Sequence, residues 1–387
     1  MREQHEAVQA INMASQQLPQ SMKAYVLEEF GKPYRLRDVP LPPIEHPDDV
    51  LIRVEAGSYC HTDAVVAAGT MHPPSLPHIG CHEFAGTVVL LPPGKVSSHG
   101  LKVGDRVAVS GRGYHVCERC LECQHPSGPD PDEPGFSVYC PYTHGGLGVH
   151  GPGGFREYAI VDSKQVSLVP GQMAAVQVAP LMCAGLTIYA ALRKCNLKPG
   201  QRVGIIGCGG GLGHLGLQFA VQMGLKTTGV DVSPKALDLA RELKTGCRIV
   251  DALKESEEDI RQSMGKEDNR QHMSEMGLDA VLILPESQKS FDYGVNLLRN
   301  GGLAVVVSFP PEGFHVSAAD LVFRRISVTG TLIGSNKALK EMLEFCVEHG
   351  VTAKITTYPF SAVNELVEDY HAGTPGKLVV DMLKKDS

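Results

Sequence analysis

Three cysteines, Cys117, Cys120 and Cys123, each with two residues before the next, constrain this chain more than any other feature. That spacing brings thiolates to a common centre. Cys140 follows across a Gly/Pro-rich stretch containing Pro126-Ser127-Gly128-Pro129-Asp130-Pro131. Four thiolates around a tetrahedral zinc leave no open position, which describes a structural site. In a reducing compartment these cysteines would gain nothing from disulfides. Sixteen residues separate Cys123 from Cys140, and closure entropy grows slowly with loop length. The expectation is that Cys140 completes the set; the alternative is a surface loop of free thiols. A second set is dispersed: Cys60 in Cys60-His61-Thr62-Asp63, His82 in His82-Glu83, and Cys183 among small residues. Two thiolates and one imidazole leave a zinc one position for water or substrate, as catalysis requires.

At 387 residues the chain is long enough for about two domains. A net charge of −7 gives no basis for a nucleic-acid surface, and no apolar run reaches the length of a membrane span. Residues 1–22 are Gln-rich, match neither a secretory signal nor an Arg-rich transit peptide, and read as a disordered arm. Lys384-Lys385-Asp386-Ser387 is no retrieval signal. A cytoplasmic enzyme is expected.

The pattern changes near residue 185. Before it, short β-like runs such as Val50–Val54 and Gly86–Leu91 are broken by Pro and Gly, as in a compact antiparallel domain. After it, strand and helix alternate, as in a parallel sheet covered on both faces. Candidate strands are Arg202–Ile206, Thr227–Val230, Ala280–Leu284, Leu303–Val307 and Ile326–Gly330. A helix is predicted over Ser233–Lys244, capped by Ser233, with Leu237, Ala240 and Leu243 on its apolar face and Gly246 ending it. Glu255–Asp259 reads as a solvated helix face, and the polar run Gly265–Met276 as a surface insertion.

Between the strand Arg202–Ile206 and a helical stretch His214–Met223 lies Gly207-Cys208-Gly209-Gly210-Gly211-Leu212-Gly213. Glycines let backbone turn tightly against a pyrophosphate, and the helix N-terminus offers free N–H groups. Asp231 stands at the end of the next strand, 24 residues beyond Gly207. A carboxylate there accepts ribose hydroxyls and repels a 2′-phosphate, which favours NAD over NADP. The alternative for Asp231 is a charge at a helix N-terminus.

From Met22 onward the chain resembles the zinc-dependent alcohol dehydrogenases of the medium-chain dehydrogenase/reductase superfamily. The matching words are Cys60-His61-Thr62-Asp63, Gly80-Cys81-His82-Glu83-Phe84-Ala85-Gly86, the Cys117–Cys140 lobe, Gly153–Tyr158, Ala179–Gly185 and the glycine loop. The loop's form, with Gly207, Gly210, Gly211 and Gly213, is closest to the yeast-type branch. The resemblance implies an α/β protein: a GroES-like, mostly-β catalytic domain over 23–184 and 335–387, with a zinc lobe at about 112–145. A Rossmann doubly wound parallel-sheet domain over 185–334 would bind NAD. It implies two zinc ions per subunit, one on Cys60, His82 and Cys183 and one on Cys117, Cys120, Cys123 and Cys140. Glu83 would lie beneath the catalytic metal or ligate it at times, and Asp63 would orient His82. Thr62 would hydrogen-bond the substrate oxygen. His61 and Lys377 would face the cofactor phosphates, Lys235 the adenosine ribose, and Thr187, Ser308, Gly209 and Leu212 would complete the cofactor contacts. Hydride would pass between an alcohol, aldehyde or ketone and nicotinamide. Relatives pair through the edge near Ile326–Gly334, so a homodimer or homotetramer is expected.

Departures from the family pattern carry information too. Val65 stands where many members place a histidine that relays the alcohol proton to solvent, so proton release is expected to use the ribose hydroxyl and water, or His72 or His78. Lys377 replaces an arginine and loses the bidentate fork. Cys81 replaces a glycine, reading either as a group that crowds the site or as a buried thiol. His78 reads as a pocket residue or as a structural histidine. Cys208 is expected beside the cofactor, open to oxidation. Two other function classes were weighed. Reduction of an activated C=C bond, or a specialised tailoring reductase, would use the same scaffold, but the zinc-free C=C reductases lack the Cys60, His82 and Cys183 set. A non-catalytic relative would show degraded ligands.

Overall fold

A computed structural model describes residues 18–70, 75–92, 99–127 and 131–385. Its strands in chain order are β1 (Ser21–Val26), β2 (Arg35–Pro40), β3 (Asp49–Tyr59), β4 (Glu83–Leu90), β5 (Arg106–Ser110), β6 (Tyr158–Asp162), β7 (Val166–Leu168), β8 (Arg202–Ile206), β9 (Lys226–Asp231), β10 (Arg248–Asp251), β11 (Leu278–Ile283), β12 (Leu298–Val306), β13 (Ser327–Gly330), β14 (Ile355–Pro359) and β15 (Lys377–Asp381). Two units result: residues up to Cys183 with Ser335–Glu348 and Ile355 onward, and Ala184–Gly334 with His349–Lys354.

In the first unit β3 is the spine. Its first half pairs antiparallel with β6 and its last four residues with β15, while β4 runs along its other edge. With both edges used, nearly every β3 residue is buried. Register shifts in the β3–β4 pairing bend the sheet. The full order is β14-β15-β3-β4-β5-β7, with β6 off that path. Val50, Ile52, Phe84, Val88, Phe155, Val161 and Val380 fill the core beneath it. The chain is ordered before the boundary expected at residue 23: β1 begins at Ser21, and Met22 is buried. Residues 1–17 of the expected arm lie outside the described residues.

In the second unit six parallel strands run in the order β10-β9-β8-β11-β12-β13. Every residue of β8 is buried, as expected of a central strand covered on both faces. The order reverses between β8 and β11, the switch point where such sheets bind ligands. β10 is an addition to the expected set. His349–Lys354 joins this unit rather than the first because the helix Gly213–Gln222 holds it. Lys354 N donates to His214 Nε2 at 3.1 Å, and Gln218 exchanges hydrogen bonds of 3.0 and 3.2 Å with the Thr352 backbone.

One local expectation is qualified and one corrected. The run Gly265–Met276 lies largely on the surface as expected, but its ends are held. Gly265 lies buried in the helix Glu257–Glu267, where an added Cβ would meet Met276 Cγ at 2.4 Å. Just beyond it, Asp268 sits 2.6 Å from Arg202 in β8. Ser233 precedes the helix Pro234–Glu242 but its side chain makes no cap bond. Asp231 Oδ1 accepts from Val232 N at 2.8 Å and Ser233 N at 3.1 Å, which fixes the turn leading into the helix without capping it.

Candidate metal centres and cofactor loop

The end of β3 delivers Cys60, which starts the helix His61–Ala67 in extended backbone conformation. Asp63, in that helix's first turn, is almost wholly buried and organises what surrounds it. Its Oδ2 accepts from Cys60 N at 3.0 Å, and its Oδ1 accepts from Cys81 N at 3.0 Å and His82 N at 3.1 Å. The same carboxylate places Oδ2 2.9 Å from His82 Nδ1. One buried carboxylate thus fixes both the segment carrying Cys60 and the segment carrying His82. It also leaves Nε2 as the imidazole's outward nitrogen. Both ring nitrogens are buried, and with Nδ1 facing the Asp63 carboxylate, Nε2 is the one left for a metal. Cys183 follows the short 3₁₀ turn Ala179–Met182. Donor atoms of Cys60, His82, Glu83 and Cys183 all lie within 4.8 Å of one another. The Cys183 thiol bonding to Cys60, with Lys377 nearby, holds Cys60 well below the usual thiol range. Burial pushes Glu83 up to about 7, against the pull of Lys377.

Lys377 corrects an expectation. It lies in β15 with only 3 % exposure, its Nζ 2.7 Å from Glu83 Oε2 and donating to Tyr59 O at 3.0 Å. Buried Glu83 needs a counter-charge, and the β15–β3 pairing brings Lys377 to it instead of to cofactor phosphates. His78 is a structural histidine: it is buried, with Nε2 3.0 Å from Gly148 O. His72 lies outside the described residues. Cys81 is a buried thiol whose Sγ donates to Glu83 O at 3.3 Å. Thr62 and Val65 are half-buried on the same helix, and His61 is exposed with Nδ1 3.4 Å from Tyr370 Oη.

The lobe closes. The sulfurs of Cys117, Cys120, Cys123 and Cys140 lie within 4.8 Å of one another. Backbone N–H groups of Arg119 and Cys120 bring Cys117 down to about 6, so the thiolate form is accessible at neutral pH. Its insertion is anchored by a contact that no motif announces. Asp132 Oδ2 accepts from Arg112 Nη2 at 2.6 Å, and its Oδ1 accepts from Asn336 N at 2.6 Å. Another unannounced contact sits at the lobe's neck, where Asp49 Oδ1 accepts from Tyr114 Oη at 2.8 Å and lies 2.8 Å from His115 Nε2. Both donor sets therefore fit zinc: a closed Cys₄ group, and a Cys₂His group with a carboxylate beside it.

In the second unit the glycine loop leaves β8 at the switch point. Gly207 takes φ +83°, which disfavours side chains, and a Cβ on Gly209 would meet Ala236 O at 1.9 Å. Gly210, Gly211 and Leu212 carry the chain round to Gly213, where the helix starts. Asp231 Oδ2 accepts from Gly209 N at 3.1 Å, so this carboxylate also braces the loop. Ser308 Oγ donates to Pro285 O at 2.8 Å, and Pro285 packs against Gly207, which puts Ser308 at the same strand ends. Lys235 is exposed in the first turn of its helix, and Thr187 is buried in the helix Ala184–Lys194. Cys208 is not open to oxidation. It is fully buried, facing Gly229, and burial raises its thiol far above the usual range.

Residues 46–171 match the alcohol dehydrogenase GroES-like domain, and residues 211–348 match the zinc-binding dehydrogenase domain. The chain is 32 % identical over 367 residues to an alcohol dehydrogenase of Geobacillus stearothermophilus, covering 94 % of this chain and 100 % of that protein. It is 31 % identical over 365 residues to an alcohol dehydrogenase of Moraxella sp., covering 93 % and 99 %. The crystal structure of the alcohol dehydrogenase from Aeropyrum pernix superposes with a TM-score of 0.78 at 26 % identity, covering 93 % and 99 %. The chain belongs to the zinc-type alcohol dehydrogenases of the medium-chain dehydrogenase/reductase superfamily. It is a zinc-dependent oxidoreductase of the alcohol dehydrogenase type, acting on small-molecule alcohol and carbonyl substrates.

Proposed function

We propose that Cys60, His82 and Cys183 hold the catalytic zinc, and that Cys117, Cys120, Cys123 and Cys140 hold a structural one. The convergence of the first three donors on one buried point, braced by Asp63, carries this reading. Bound zinc and NAD supply Lewis acidity toward the substrate oxygen and a hydride acceptor. The chain's own residues do the rest. Asp63 holds the His82 ring and the Cys60 backbone in place, so the donor set is preorganised. Thr62 hydrogen-bonds the substrate oxygen and takes its proton in the alcohol-to-carbonyl direction. Val65 offers no onward acceptor, so onward relay would fall to a hydroxyl that a bound cofactor's ribose would supply. Gly207–Gly213 would offer backbone N–H groups to a pyrophosphate, Asp231 would accept the ribose hydroxyls, and Lys235 would serve the same ribose. Thr187 and Ser308 would complete the cofactor contacts of this unit, and His61 would be a further cofactor residue of the first unit. Among the described residues no single helix is long and apolar enough to cross a membrane, in keeping with work in the cytoplasm.

Zinc content tests the assignment. Wild-type protein should carry two zinc ions per chain and bind NADH saturably. Cys60→Ala should carry one, lose turnover to background, and bind NADH within about twofold of wild type, since one thiolate of a three-ligand site cannot be spared. A Cys60→Ala protein that kept both ions and its activity would sink the ligand assignment.

A further inference from the structure

Four donors converge at the Cys60 site, one more than an open zinc site uses. Glu83 belongs to the same cluster as Cys60, His82 and Cys183. A zinc bound by all four would have a full tetrahedral shell and no place for substrate. What distinguishes Glu83 from the other three is its neighbour: Lys377 Nζ lies 2.7 Å from Oε2, both side chains within the protein interior. Lys377 is itself fixed. It starts β15, its neighbour Leu378 pairs with Tyr59, and its Nζ donates to Tyr59 O at 3.0 Å, on the residue before Cys60. The ammonium is therefore tied to the strand that carries a zinc ligand, and cannot swing away without breaking a buried contact.

We propose that Lys377 is a positioning residue that holds the Glu83 carboxylate off the metal and so keeps the fourth coordination position open for substrate. Ammonium and metal compete for one carboxylate, and a buried carboxylate deprived of one cation turns to the other. The proposal rests on the zinc reading of this site.

Cobalt-substituted protein with imidazole as a small exogenous ligand tests it, because cobalt absorption reports the ligand set independently of turnover. The closed Cys₄ site has no position to give imidazole, so a spectral shift on titration reports the Cys60 site. Wild-type protein should shift saturably. Lys377→Met should show an altered spectrum before imidazole is added, and an imidazole affinity at least tenfold weaker. Lys377→Arg, which restores the charge, and the double variant Lys377→Met/Glu83→Gln, which removes the carboxylate, should both return the affinity to near wild type. A Lys377→Met protein that titrates like wild type overturns the proposal, as does a loss that Glu83→Gln fails to reverse. Should Lys377→Met not fold, Lys377→Gln keeps a donor without the charge and is judged by the same two outcomes. A wild-type protein that takes up cobalt only at the Cys₄ site overturns the zinc reading and this inference with it; uptake at both sites with identical titrations overturns this inference alone.

Discussion

Cys81 shows how one residue's strain is accommodated by another. Its backbone lies at φ +76°, where a side chain costs roughly 1–2 kcal/mol. A Cβ on Gly57 would come within 2.8 Å of Cys81 Sγ. Gly57→Ala should therefore destabilise by about 1–3 kcal/mol through overpacking. Adding Cys81→Gly removes the clash, so urea unfolding of the double variant should show a loss about 1–2 kcal/mol smaller than the sum of the single losses. Strict additivity would mean that the two side chains do not meet. The two converging donor clusters were legible in the sequence because each donor sits in a short word whose chemistry is local. Lys377 and Cys208 were not, for a common reason. Adjacency in sequence says which loop a residue joins, not which way its side chain turns. That is decided by a strand pairing in one case and by the open space over Gly229 in the other.

At the scale of elements, the join between β8 and the helix Glu257–Glu267 depends on charge. Arg202, with its side chain nearly buried, sits 2.6 Å from Asp268 and 2.7 Å from Glu267. Lys226 reaches Asp268 at 2.6 Å. The Arg202 guanidinium, aided by Lys226, holds the Asp268 carboxyl well below the usual carboxylate range. A depressed pKa stabilises the fold above the unfolded value of about 4 and loses that contribution as pH falls toward the folded value. Asp268→Asn should cost about 1–2 kcal/mol at pH 7, less than breaking a fully buried pair because the carboxylate is 25 % exposed. The gap to wild type in chemical unfolding should hold from pH 7 to about 5 and shrink below about 4. A gap that grew toward acid would reverse the sign and refute the assignment. The polar run Gly265–Met276 has no apolar period that would announce these contacts. The ion pairs that bind it are long-range and leave no local pattern. β10 escaped for a similar reason: Arg248–Asp251 is four residues long with charge at both ends.

For the whole molecule, the six-stranded sheet ends on β13, an edge without a further partner among the described residues. Beside it in sequence the short helix Ala318–Phe323 exposes Val322 at 67 % and Phe323 at 80 %. Such apolar exposure next to an open strand edge is what subunit pairing buries. Sedimentation should find wild-type protein as a dimer or tetramer, and Phe323→Asp shifted toward monomer with both zinc ions retained. A wild-type protein that sediments only as monomer would remove the expectation. The division into units was largely readable from the change of periodicity near residue 185. The return of His349–Lys354 to the second unit was not, since it depends on His214 and Gln218, side chains more than a hundred positions earlier.

The place of β15 in the sheet also bears on the order in which the protein is made. Cys60, His82 and Cys183 are all in the chain before the first residue of β8 is added, yet the strand that flanks Cys60 waits for residues 377–381. Until then the second half of β3 presents a bare edge next to a nascent metal site, and Glu83 is without the lysine that faces it in the finished fold. Assembly of the Lys377–Glu83 pair is thus among the last events of biosynthesis, and a chain stalled short of β15 would hold Cys60, His82 and Cys183 without it.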